Sequence, residues 1–253
     1  ALEAYLTCPN KFYFEKILRI PMTLKAHLAY GNAIHGALQD YFDKLKATEN
    51  LPHVDELYAF FNAQMEKRHY QFTKAQMNDF SAQGLFVLAE FYKQNHNSWG
   101  NIPAFYTELK LEGNWKGLAI SGIVDRVDIY GNQVQVWDYK TGKVEAKDLK
   151  LPTDLENPGG DKGRQLVFYK MLLEQDHRFK NKEYTGIMQS LRLENEKFAK
   201  YEKQVNDEDV ANLGQILIEV DAKVKSGEFS KMCNKIDCEW CTFIKNYDLN
   251  ESK

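Results

Sequence analysis

Gly117–Lys143, GLAISGIVDRVDIYGNQVQVWDYKTGK, is the stretch whose reading decides the fold. It reads as two β-strands around Gly131-Asn132, a two-residue turn signal of the kind that closes a hairpin. With those residues in the turn, one side of the ribbon pairs Ile129 with Val134, Val127 with Val136 and Asp125 with Asp138. The other side pairs Tyr130 with Gln133, Asp128 with Gln135 and Arg126 with Trp137. The first side is apolar until its far end, where two carboxylates oppose each other. Directly opposed residues have Cβ atoms about 4.5–5.5 Å apart, and like charges there destabilise a sheet. A divalent cation between the two acids is the economical remedy. Lys140, two residues past Asp138, projects from the same side. A plain surface salt bridge between Asp138 and Lys140 is the alternative, and the alternation along both sides of the ribbon favours the shared cation site.

The whole chain sets the bounds. Its 253 residues can bury a full core, and 43% hydrophobic with 27% charged residues is ordinary for a globular protein. A net charge of −3 excludes a global basic field, so a nucleic-acid partner must meet a local patch. No apolar run is long enough to span a bilayer and no secretory signal opens the chain, which predicts a cytoplasmic protein with reduced thiols or a metal site rather than a disulfide framework. The chain starts at Ala1 without an initiator Met, as expected of a fragment of a longer protein or of a chain that has lost a tag.

Around the hairpin, helical periodicity dominates the front half. Residues 1–20 recur at helical spacing with a break at Cys8-Pro9, and Gly31 to Lys46 places His35, Leu38, Phe42 and Leu45 on one face. His35 is thus expected to point inward, where a lone histidine is more often a hydrogen-bonded core residue than a ligand. Val54 to Tyr70 and Gln76 to His96 read as packing helices, and Ala104 to Asn114 as a first strand carrying Glu108, a minor candidate. Behind the hairpin, Leu149 to Gly163 reads as a long loop able to cover a groove. A helix follows to about Gln175, carrying Arg164 and the i, i+4 pair Gln165 and Tyr169. Tyr184 to Leu193 and Lys200 to Val205 read as an antiparallel strand pair. Asp207 to Ser226 reads as a helix capped by Asp207, and the stretch after it as irregular. The expectation is one α/β domain over residues 1–253: a central mixed sheet flanked by helices, with a helical N-terminal half.

In this order the helix with His35, the strand with Asp125, the strand with Asp138-Tyr139-Lys140 and the helix with Gln165-x-x-x-Tyr169 resemble the PD-(D/E)XK nuclease superfamily. The similarity is to the branch of RecB-type and AddB-type helicase–nucleases and Cas4. It extends to Tyr5-Leu6-Thr7-Cys8-Pro9 with Lys11-Phe12-Tyr13-Phe14, and to Gly31-x-x-x-His35. The resemblance implies a restriction-endonuclease-like fold. It implies that His35, Asp125, Asp138 and the backbone carbonyl of Tyr139 bind Mg²⁺ or Mn²⁺, and that Lys140 orients or activates the attacking water. Arg164, Gln165 and Tyr169 are expected to support the site or the DNA backbone. The implied activity is a metal-dependent DNA exonuclease acting on single-stranded ends in recombination or repair, as the C-terminal part of a helicase–nuclease. Two rivals are an inactive DNA-binding or helicase-docking module and a freestanding Cas4-like nuclease.

In many relatives an N-terminal cysteine and a C-terminal cysteine group hold a [4Fe–4S] cluster. Cys8, Cys238 and Cys241 fit three of those positions. The fourth falls on Tyr247, leaving Cys233 to complete the set. Four thiolates suit an iron–sulfur cluster or zinc, and a cluster-free lineage that kept buried cysteines is the third reading.

Overall fold

The computed structural model describes residues 1–22, 25–229, 231–233 and 235–247. The hairpin turns where its sequence signal lies: β2 (Leu118–Tyr130) and β3 (Gln133–Lys140) flank Gly131, whose φ of 60° is the left-handed conformation such a turn requires. The register follows the alternation, pairing Tyr130 with Gln133, Ile129 with Val134, Val127 with Val136 and Arg126 with Trp137. β1 (Ala104–Trp115) lies antiparallel to β2, β4 (Glu183–Glu194) parallel to β3, and β5 (Lys197–Gln204) antiparallel to β4. The sheet order is β1-β2-β3-β4-β5. A parallel neighbour cannot follow through a tight turn, and the crossover from β3 to β4 is made by a helix (Asp161–Leu173).

Among the described residues eight α-helices accompany the sheet: α1 (Leu2–Thr7), α2 (Pro9–Phe12), α3 (Ala26–Thr48), α4 (Val54–Glu66) and α5 (Lys74–Trp99) before it, then the crossover helix α6, with α7 (Asp207–Lys225) and α8 (Glu239–Asn246) after β4 and β5. One sheet face packs on α6, where Val124, Val127, Val136 and Met188 meet Leu166 and Leu172. The other face packs on α3, α4 and α5 through Leu38, Phe42, Phe61 and Phe91, which meet Phe105, Tyr139 and Leu191. This is the mixed sheet between helical layers that the sequence predicts.

The side of the hairpin carrying Arg126 and Asp128 is buried: the two residues are only 2% and 1% exposed, because α3 and α5 cover them. The loop before α6 is a compact one. It folds back on itself, with Gly160 N donating to Lys150 O, and a Cβ on Gly160 would lie 2.2 Å from Asp148 O. Two expectations, the cap of α7 and the irregular stretch after it, need correction. α7 is capped by Asn206, whose side chain accepts the N–H of Asp209, while Asp207 pairs with Lys170. The stretch read as irregular contains α8, whose Trp240 and Ile244 pack on Phe14.

Candidate active site

The apolar pattern of β2 changes parity partway along. Ile120 and Val124 face α6, and so do Val127 and Ile129, although Val124 and Val127 are an odd number of residues apart. A regular strand cannot do that. The structure resolves it at Glu108 and Asp125: the β1–β2 ladder runs from Thr107–Arg126 to Leu109–Val124 without pairing the two residues between. Glu108 there has φ of 43°, a conformation uncommon for a residue with a side chain. Such a break frees both acids from the ladder and turns them toward α3.

His35 meets them there. Its Nδ1 lies 3.3 Å from Asp125 Oδ2, and the ligand atoms of His35, Glu108 and Asp125 all lie within 4.8 Å of one another. Leu38, Phe42 and Leu45 point into the core as expected. His35, expected inward with them, sits instead at the rim with 27% of its side chain exposed. Its neighbours Leu38, Glu108, Asp125 and Tyr139 line a cavity of about 10 Å³, room for one ion or one water.

The β2–β3 ladder ends at Arg126–Trp137, one pair before the two aspartates. Beyond it, Asp125 Oδ2 accepts the backbone N–H of Tyr139 at 2.7 Å. The N–H and C=O of a strand residue point to the same neighbour, so the Tyr139 carbonyl also projects toward Asp125. Asp138 is 1% exposed. Its Oδ1 accepts from Tyr169 Oη at 2.8 Å, and Tyr169 Oη in turn accepts from Gln165 Nε2 at 2.8 Å. Its Oδ2 lies 2.5 Å from Lys140 Nζ yet has no aligned hydrogen-bond donor among the described residues. Lys140 offsets part of this buried charge, and a bound dication would offset more. Glu108, held only as a minor candidate from sequence, belongs with His35 and Asp125, and the parity change in β2 was the signal that could have placed it. Arg164 stands apart: its guanidinium donates to Glu3 Oε1, Pro158 O and Gly159 O at 2.7, 2.8 and 2.7 Å, which makes it a strut between α1 and α6 rather than a group free for phosphate.

The electrostatics suit a cation. Burial pushes the Asp138 carboxyl above the usual range, with Lys140 pulling the other way. Burial and then the charge of Asp125 raise Glu108. For His35, burial alone would lower the value, but the hydrogen bond and charge of Asp125 outweigh it and the net shift is upward. Each group binds metal only when deprotonated. Protons therefore compete with the metal from above the ordinary His value of about 6.5 downward. Mn²⁺ affinity should fall as pH drops through neutrality and recover on the alkaline side. Calorimetric titration at a series of pH values, in buffers of different ionisation enthalpy, should show proton release on binding that shrinks as pH rises.

Apart from these residues, Cys8 Sγ lies 3.5 Å from Cys241 Sγ and 3.7 Å from Cys238 Sγ. Cys233 Sγ lies 3.7 Å from Cys241 Sγ. The residues proposed from sequence as one set are thus brought together from both ends of the chain.

The profile of the PD-(D/E)XK nuclease superfamily matches residues 1–245. No curated protein sequence matches. Among solved structures, a candidate exonuclease from Eubacterium rectale superposes with a TM-score of 0.57 at 12% identity, over 100% of this chain and 96% of that one. At that identity the likeness shows a shared fold. A second structure, SSO0001, is 18% identical over 93% of this chain and 91% of that one, with a TM-score of 0.33.

Proposed function

The chain belongs to the PD-(D/E)XK nuclease superfamily, and on that premise we propose that it is a Mg²⁺- or Mn²⁺-dependent deoxyribonuclease that degrades single-stranded DNA from its ends. The observation that carries this reading is the convergence of His35, Glu108 and Asp125 beside the Asp138–Lys140 pair. His35, Glu108, Asp125, Asp138 and the Tyr139 carbonyl would hold the metal. A bound dication there supplies polarisation of a phosphoryl oxygen and acidifies water near neutral pH. The mixed donor set, with one imidazole, is friendlier to Mn²⁺ than an all-oxygen site.

The chain's own groups do the rest. Lys140 Nζ, 23% of whose side chain reaches solvent, is placed to orient the attacking water or to neutralise the charge that builds on the phosphate oxygens. Gln165 and Tyr169 fix the rotamer of Asp138 through the hydrogen bonds that end on its Oδ1. The resemblance to helicase–nuclease domains supports a role in recombination or repair, in the cytoplasm, as one nuclease domain working beside a helicase. Among the described residues no helix is long and apolar enough to cross a membrane.

The rival reading is a module that binds DNA or docks a helicase without cutting. The intact donor set and the lysine weigh against it, because a dead module has no need of a cation site. The test offers linear and covalently closed circular single-stranded DNA with Mg²⁺, Mn²⁺ or chelator. Metal-dependent release of nucleotides from the linear strand alone is expected. Equal loss of the circle would overturn end-dependence, and intact DNA with either metal would favour the docking module.

A further inference from the structure

The four cysteine sulfurs are too close together for the cluster that the resemblance implies. In a [4Fe–4S] site each cysteine binds a different iron, so the sulfurs sit outside an iron–sulfide cube and are held apart by it. Here they are in contact: three separations are 3.5, 3.7 and 3.7 Å, and all four sulfurs lie within 4.8 Å of one another. No cube fits between atoms that touch. A disulfide does not fit either, since its sulfurs would be about 2.05 Å apart, and all four cysteines are free. Four thiolates on one zinc ion, at a Zn–S distance of about 2.3 Å, form a tetrahedron whose edges are about 3.8 Å. We propose that Cys8, Cys233, Cys238 and Cys241 hold a single tetrahedral zinc ion in place of an iron–sulfur cluster.

Polar groups reach two of the sulfurs. Asn10 Nδ2 points at Cys241 Sγ from 3.9 Å; burial pushes the Cys8 thiol up to about 12, and the backbone N–H of Lys11, donating to its sulfur, pulls the other way. Donors aimed at sulfur stabilise thiolate over thiol and orient the ligands of a metal. Cys8 and Cys241 are buried, whereas Cys233 and Cys238 are partly open, which gives the ion a route in. Binding exchanges the thiol protons for the metal, so loading releases protons to solvent. The zinc then acts as a clasp. It ties Cys8, between α1 and α2, to the start of α8 and the segment before it, two parts of the chain separated by more than two hundred residues. α1 carries Glu3, whose carboxylate grips Arg164 on the helix that also carries Gln165 and Tyr169. Closing so long a loop limits the freedom of the unfolded chain.

The proposal is independent of the nuclease reading, and its test reads metal rather than cleavage. The protein is purified without oxygen from cells supplied with both iron and zinc, so that a labile cluster survives if one exists. Mass spectrometric metal analysis should find about one zinc per chain and no acid-labile sulfide. Exchange with Co²⁺ should give the charge-transfer and visible bands of a tetrahedral tetrathiolate. Cys233→Ser should lose most of the zinc and melt at lower temperature; if it does not fold, the metal content of the unaltered protein still decides. Iron in the preparation, with or without sulfide, would overturn the proposal. So would a metal-free protein whose four thiols all react with a disulfide reagent in the native state.

Discussion

Asp138→Asn should yield a folded protein that no longer cuts DNA. Asparagine keeps the shape of the side chain and can still accept from Tyr169 Oη through its amide oxygen. What it removes is the charge at Oδ2, the buried oxygen that faces Lys140 without an aligned donor. Because burial opposes that charge, its loss should leave the melting temperature unchanged or raise it. Lys140 is partly exposed, so water can solvate its freed ammonium group. Catalysis should fall by about three orders of magnitude, the equivalent of roughly 4 kcal/mol of transition-state stabilisation from the cation site. Nucleotide release, Mn²⁺ calorimetry and thermal melting measured together separate the effects: release and tight Mn²⁺ binding should be lost and the fold kept. Lys140→Ala is the companion. It should lose turnover to a similar degree but retain Mn²⁺ affinity, since an ammonium group is not a ligand. Near-native cleavage by Asp138→Asn would end the assignment of this site.

The part of this site that the sequence reveals is the part governed by local rules. A two-residue turn fixes hairpin register, and the pairs from Tyr130–Gln133 to Arg126–Trp137 follow from it. The i, i+4 rule puts Gln165 against Tyr169, and the structure continues that link to Asp138. What strand counting misses is the break opposite Glu108. A strict period of two carries Asp125 to the α6 face along with Asp138, yet the ladder ends before that pair and Asp125 instead meets a histidine from α3. The cost of a positive φ at Glu108 is offset by tertiary packing, which no local propensity records. The inward reading of His35 held only in part, since it faces the sheet yet keeps 27% of its side chain exposed. Helical periodicity gives the direction of a side chain but not where the neighbouring sheet ends, and His35 lies where the β2–β3 ladder has stopped.

The same limit concealed the second face of the hairpin, where the largest loss of stability is expected. Arg126 and Asp128 alternate with the valines of β2, and alternation alone does not say whether their side is covered; α3 and α5 bury them. The guanidinium lies 4.5 Å from the ring centres of both Phe42 and Trp137. It meets Asp128 through two contacts, Nη2 to Oδ2 at 3.0 Å and Nε to Oδ1 at 2.9 Å. Aromatic faces stabilise a cation only modestly, and the carboxylate is the partner that offsets desolvation. Asp128→Ala therefore strands a buried positive charge, for which about 3–5 kcal/mol is the usual penalty. A cavity of about 410 Å³ borders the pair and is lined by both residues. Water entering it would solvate the stranded group, so the loss should fall near the lower end. Urea unfolding should show it as a lowered midpoint with an unchanged slope. Replacing the pair together, by Arg126→Met with Asp128→Leu, should recover much of the loss, since no unpaired charge remains. Arg126 directly follows Asp125 in the chain, so the single variant should also bind Mn²⁺ more weakly than the double. If Asp128→Ala and the double variant unfold at the same urea concentration, the buried charge is not what the carboxylate holds in place, and Asp128 acts only by filling space.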